Sequence, residues 1–291
     1  MSEGNFFEKN RPFYIIAIVA FFLFMIIIVM EKYRVMEDLI PMLRGEVSLE
    51  NDIIVTSTRG KNPLLVKKTD PFIGKRLRMS GAVKSIFSET ILDMCHSNDV
   101  VVEVGAHFGY NSVLLGKKVK DGKVYCLEPN SSIFSYLRKN IIINDLESVC
   151  ILKNVAISGV KGDCVIEDYF TILGSHNKQN TIHVSCNTLD NEIKERINSV
   201  NLLAIDIPGM EFLILSGAAK MLSESADIVV VVTFNKEESS KRVDIAGELK
   251  RLHSSGFHFY LAGGSNDISP ITIAEILELT NAVLIFSKRL L

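Results

Sequence analysis

The sequence predicts an α/β fold built on a mostly parallel, doubly wound sheet with an antiparallel strand at its C-terminus. Three observations carry that prediction. Apolar runs of strand length recur from residue 99 to residue 287, amphipathic helical segments alternate with them, and the first run ends in a glycine turn that opens a helix. Residues 99–104 read as a buried parallel strand interrupted by one carboxylate, Glu103. Gly105 then permits a sharp turn with no Cβ in the way, and Gly109 opens an apolar-periodic run. Strand, glycine turn and helix together make a cradle in which backbone N–H groups and a helix N-terminus meet one ligand.

Taken from its start, the chain shows a short tail over residues 1–11 and then nineteen residues, 12–30, without a charge. As a helix this segment would span roughly 28 Å, close to the ~30 Å hydrocarbon thickness of a bilayer, so a single transmembrane helix is expected. No small-x-small cleavage site follows Met30, which argues against a removed signal peptide. Lys32, Arg34 and Arg44 outweigh Lys9 and Arg11 across it, which places the remainder of the chain in the cytosol. Residues 31–80, broken by Pro41, Gly45, Gly60 and Pro63, read as a juxtamembrane helix and linker. The folded domain is expected over 81–291.

Within it, a helical pattern through Val83, Ile86, Ile91 and Met94 leads to the opening strand. Further strands are predicted at 123–127, 149–153, 201–206 and 227–233, and helices at 110–119, 131–144, 209–224 and 238–254. Such alternation implies right-handed crossovers. Residues 163–185 read as a β-hairpin set beside the sheet, and 257–262 with 282–287 as final strands paired antiparallel.

Composition narrows the function. A content of 47% hydrophobic residues supports one large core, and a net charge of −2 gives no reason to expect nucleic acid. The five cysteines include no CxxC pair, and the apolar settings of Cys126 and Cys150 predict reduced, buried thiols in a reducing compartment. No HExxH motif or carboxylate cluster suggests a metal.

Ligands of an open parallel sheet bind beyond the carboxyl ends of its strands. Four such ends stand out: Glu103 to Gly105, Glu128-Pro129, Asn154-Val-Ala156 and Asp206-Ile-Pro-Gly209. A dinucleotide fingerprint needs G-x-G-x-x-G, whereas these glycines stand as G-x-x-x-G with Glu103 two before Gly105. An acid at that position suits a ligand with an ammonium group, and S-adenosylmethionine has one on its amino-acid end. Its carboxylate would face the N–H groups of the turn around His107 to Tyr110, with Ala106 and Gly109 of the same turn as further cofactor-binding candidates. Glu128 stands where a ribose should lie, and one carboxylate can accept both ribose hydroxyls. Asn154 and the backbone of Val155 are candidates for the adenine edge. Asp206 would orient or deprotonate an acceptor hydroxyl, with His107 and Glu211 as further candidates at the reacting end.

With those residues in hand, the chain resembles the FkbM-type family of S-adenosylmethionine-dependent methyltransferases. Val102-Glu-Val-Gly-Ala-His-Phe-Gly-Tyr110 resembles its vDvGAniGyy signature, and Cys126-Leu-Glu-Pro129 its fEP segment. Asn154-Val-Ala-Ile-Ser158 is similar to naAls, Thr188-Leu-Asp190 to tlDd, and residues 203–218 follow lKiDvEGaE with its trailing l.Ga. The likeness implies a Rossmann-like class I methyltransferase fold and O-methylation. It gives Glu103, Gly105 and Glu128 to the cofactor, and Asp206 and Glu211 to the active-site end. Ala204 stands where the family commonly has Lys, and Pro208 where it has Glu. The expected function is a membrane-anchored methyltransferase acting on a hydroxyl of a sugar, glycan or lipid-linked acceptor. The rival is a binding or scaffold protein at the membrane that kept the fold and lost the reaction.

Overall fold

A computed structural model describes residues 62–67, 70, 73–80, 83, 85–167, 181–194 and 200–291, with two further strands at 47–49 and 53–57. Strands β1 (Val47–Leu49), β2 (Ile53–Ser57) and β3 (Pro63–Lys67) form a small sheet in that order, β2 and β3 antiparallel. Helices α1 (Ile73–Ser80) and α2 (Ile86–Met94) follow. The main alternation then runs β4 (Val100–Val104), α3 (Tyr110–Lys118), β5 (Lys123–Leu127), α4 (Ser131–Ile142) and β6 (Cys150–Lys153). After β7 (Ala156–Ile157), β8 (Gly162–Glu167), β9 (Thr181–Asn187) and α5 (Leu189–Glu192) come β10 (Leu202–Ile205), α6 (Glu211–Ser216), α7 (Ala219–Glu224) and β11 (Val229–Asn235). The chain closes through α8 (Lys236–Ser240), α9 (Ile245–Ser254), β12 (His258–Gly264), β13 (Asp267–Pro270), α10 (Ile273–Ile276) and β14 (Asn281–Ser287).

The large sheet has the order β13-β12-β14-β11-β10-β4-β5-β6. Strands β6, β5, β4, β10 and β11 are parallel, and β14 inserts antiparallel between β11 and β12. From β4 the chain builds outward to β5 and β6, then returns to lay β10 on the other side of β4. That reversal is a topological switch point, where crossovers on either side diverge and leave a crevice. Helices cover both faces, so Val229, Val230, Val231 and Val232 are all buried, as a central parallel strand requires. One core lies between the sheet and α2, α3 and α4, including Phe87, Ile91, Leu115 and Leu137. The other holds Phe212, Leu215, Leu249 and Phe286.

Several expectations are revised. The linker expected over 31–80 is, in its described part, folded: Leu64, Val66 and Leu77 are wholly buried in the first core. Residues Ser48–Leu291 form one compact unit, so the domain begins well before residue 81. The helix expected over 209–224 is two, α6 and α7, broken at Gly217. A Cβ there would stand 2.4 Å from the Ser158 carbonyl oxygen, so the chain turns where only glycine fits against its neighbour. The helix expected over 238–254 is likewise divided into α8 and α9. The hairpin is present as β8 and β9, antiparallel, but it pairs with β7 in a third sheet. Cys164 and Cys186 are joined across it, which corrects the expectation of reduced thiols for these two. Both Cα atoms lie 5.7 Å apart, within bonding reach. Cys95, Cys126 and Cys150 are free and buried, as expected. Residues 12–30 lie outside the described residues, among which no helix is long and apolar enough to cross a membrane.

Candidate active site at the switch point

Register fixes the site. Val104 pairs with Leu127 on one side and Ile205 on the other, and Ile205 pairs with Val232. One residue further along each strand, the row across the sheet reads Glu128, Gly105, Asp206, Thr233. Gly105 is thus flanked by two carboxylates at the carboxyl ends of β5 and β10. Its φ of +88° is a left-handed conformation, and a Cβ would stand 2.8 Å from Ile207 Cγ1 and 3.1 Å from the Asp206 carbonyl oxygen. Only glycine lets β4 turn this close to β10.

The turn after Gly105 closes largely on the protein itself. The N–H groups of Gly105 and Ala106 both donate to the Leu127 carbonyl at 3.0 Å, and Gly109 N–H donates to Ala106 at 2.8 Å. His107 adopts φ +53°, and its N–H donates to Glu128 Oε2 at 3.0 Å. These four groups are committed within the protein. The His107 side chain differs: its Nδ1 is buried with no hydrogen-bond partner, and burial lowers its pKa to about 4, leaving a neutral ring. Gly109, at φ +85°, starts α3, and a Cβ on it would run into Leu137.

Glu128 is 5% exposed. Its Oε1 accepts from the Asn130 N–H at 2.9 Å, and its Oε2 from His107. Burial pushes its carboxyl up to about 7 despite those two bonds. Each carboxylate oxygen keeps a second lone pair, so a vicinal diol can still donate to both. Asn154 serves this segment from behind: Nδ2 donates to the carbonyls of Glu128 and Pro129 at 2.8 and 3.0 Å, and Oδ1 accepts from Ser131 Oγ. It holds the Glu128 turn, with Val155 packed against the second core.

Glu103 lies two rows deeper, between Ala204 and Cys126. It is 1% exposed and its Oε2 accepts from Ser112 Oγ at 2.5 Å, so it meets α3. Burial, with Asp206 and Glu128 nearby, raises its carboxyl to about 8 against the opposing Ser112 bond. At neutral pH Glu103 is protonated.

Asp206 is exposed as a residue, yet its carboxyl is hemmed in, and that burial raises its pKa; the Thr233 hydroxyl and the Arg76 charge pull it back. Thr233 Oγ1 donates to Asp206 Oδ1 at 2.6 Å. Glu211, first residue of α6, is wholly buried. Its Oε1 accepts from Ser239 Oγ and its Oε2 has no partner, so it ties α8 to the 206–211 loop from inside. The structure therefore brings Gly105, His107, Glu128 and Asp206 to one mouth, and sets Glu103, Asn154 and Glu211 behind it. Sequence reasoning missed Thr233, Ser112 and Arg76. A hydroxyl two residues past a buried valine in β11 was the available signal for Thr233. Among the described residues no group of acidic, histidine or cysteine side chains could hold a metal.

No curated protein sequence matches the chain significantly. Among solved structures, a transferase from Pyrococcus horikoshii has a TM-score of 0.46 at 11% identity, over 82% of this chain and 72% of that one. An rRNA methylase from Streptococcus thermophilus has 0.43 at 13%, over 72% and 99%. TYW2 of M. jannaschii, in complex with AdoMet, has 0.39 at 13%, over 83% and 87%. Likeness at this level says nothing of substrate. The sequence profile is decisive: residues 103–259 match the methyltransferase FkbM domain, and the chain belongs to that family.

Proposed function

We propose that this chain transfers a methyl group from S-adenosylmethionine to a hydroxyl of a sugar, glycan or lipid-linked acceptor, held at a membrane by residues 12–30. The observation that carries the reading is the row in which Gly105 stands between Glu128 and Asp206 at the switch point. The residues suit the cofactor's nucleoside end. Glu128 offers free lone pairs to a ribose diol, and the partnerless His107 Nδ1 is a buried polar atom awaiting a ligand. Bound there, the cofactor supplies an electrophilic methyl group.

Asp206 stands across Gly105 and would take the acceptor's proton. An alcohol is far less acidic than a carboxylic acid, so a base helps only as the oxygen forms its new bond. Alignment of the acceptor oxygen supplies much of the rate. The raised pKa of Asp206 makes it a better base than an ordinary aspartate once ionised.

The test is thermal stability of the full chain. Free S-adenosylmethionine at 100 times its dissociation constant should stabilise by about 2.7 kcal/mol, and NAD should not. Glu128→Ala should lose that shift, and Asp206→Asn should keep it while losing transfer to methyl glycosides and lipid-linked sugars. The membrane-proximal acceptor rests on residues 12–30 alone; equal activity of a chain lacking them on soluble and lipid-linked sugars would remove its motive. Ala204 and Pro208, in place of the family's Lys and Glu, motivate the scaffold reading, which predicts binding without turnover on every acceptor tried. A cytosol-facing domain is supported by the flanking charges and by three free, buried thiols. The Cys164–Cys186 bond pulls the other way, because such bonds persist in oxidising compartments. Protease digestion of the folded domain in intact against permeabilised cells decides between the two faces.

A further inference from the structure

Strand β11 buries Val229 to Val232 and Phe234, and Thr233 sits among them half-buried. A β-branched side chain in a strand has few χ1 choices, so the backbone aims this hydroxyl. It is aimed at Asp206 Oδ1, 2.6 Å away, from the strand next to β10. Thr233 belongs to the same row as Glu128, Gly105 and Asp206 and completes it on the acceptor side.

We propose that Thr233 is a positioning residue for methyl transfer: its hydroxyl grips Oδ1 of Asp206 and leaves the other carboxylate oxygen to the acceptor. The proposal rests on the reading of Asp206 as the base. A hydroxyl can donate to a carboxylate and gains nothing comparable from a protonated acid, so the grip also favours the ionised form. The other charged or titratable groups facing Asp206 are Arg76 of α1 and Glu103 of β4, two rows beneath. Arg76 assists ionisation and an ionised Glu103 would oppose it, but neither fixes which oxygen is presented.

The experiment is a carbon-13 carboxyl titration of the full-length protein in detergent, with the Asp206 signal assigned by its loss in Asp206→Asn. Thr233→Val keeps the shape and removes only the hydroxyl; it should raise the Asp206 midpoint by about one pH unit, tenfold in proton affinity. Thr233→Ser should restore the wild-type midpoint, which a merely structural role for the threonine methyl would not do. S-adenosylmethionine affinity should be unchanged in both. An unmoved midpoint in Thr233→Val, or an equal rise in Thr233→Ser, overturns the grip. If Asp206→Asn still transfers labelled methyl to methyl glycosides at the wild-type rate, the base reading falls and takes the catalytic purpose of the grip with it. The two failures are read on different instruments.

Discussion

Glu103 is a carboxyl group enclosed by Ala204, Cys126 and the Ser112 hydroxyl, and the fold has resolved its charge by keeping the proton. Its folded pKa of about 8 lies above the ordinary value of 4.5, so between these two pH values the folded chain holds a proton that the unfolded chain has lost. Folding stability should therefore fall as pH rises through that window. Glu103→Gln, neutral throughout, should flatten the fall and be more stable than wild type at pH 8 by about 2–4 kcal/mol. Urea melts at pH 5 and pH 8 check this, and parallel losses in both chains would count against it. Glu128 adds a weaker trend of the same sign up to about pH 7, restrained by its two backbone donors. At this scale Glu128 and Asp206 were legible because each is the first carboxylate past an apolar run. The depth of Glu103 was not, because parity along β4 sets only which face a side chain joins and sequence alone does not show what α3 places opposite.

Among the elements, α4 does something unusual for a helix: it completes a strand. Asn140, wholly buried, accepts from the Leu65 N–H at 2.6 Å and donates to the Leu65 carbonyl at 2.9 Å, as a neighbouring strand would. The same amide donates to the Phe108 carbonyl at 2.7 Å, and Asn144 donates to Pro63 at 2.8 Å. One side chain thus fastens β3 to the turn that carries His107. Asn140→Ala leaves three buried backbone groups without partners, at about 1–3 kcal/mol each, and should destabilise the protein by about 3 kcal/mol or more. A calorimetric melt reads the loss, and a change below about 1 kcal/mol would show that water replaces the amide. Nothing in the sequence announced this. A mid-helix asparagine reads as a solvent-facing residue, and the short run at 64–66 behind Pro63 reads as a linker. The break at Gly217 was hidden for a similar reason, since its cause is the Ser158 carbonyl, just past the end of β7.

For the molecule as a whole, the alternation of apolar runs and amphipathic helices made the parallel sheet and its switch point legible, and the family signature followed the same segments. Where the unit begins was not legible, because Leu64, Val66 and Leu77 are too few to form a pattern yet all reach the core. Each contributes about 1.5–3 kcal/mol by burial, so a chain beginning at residue 81 should melt roughly 10–20 °C below one beginning at Ser48. Equal melting temperatures would return residues 48–80 to the status of a linker. The Cys164–Cys186 bond has a consequence of a different kind, because it makes residues 164–186 a closed ring in the chain. A protease that cuts once inside that ring yields two pieces that migrate as one on a gel. Only added thiol lets them part, so a sample that looks whole without reductant can already be nicked.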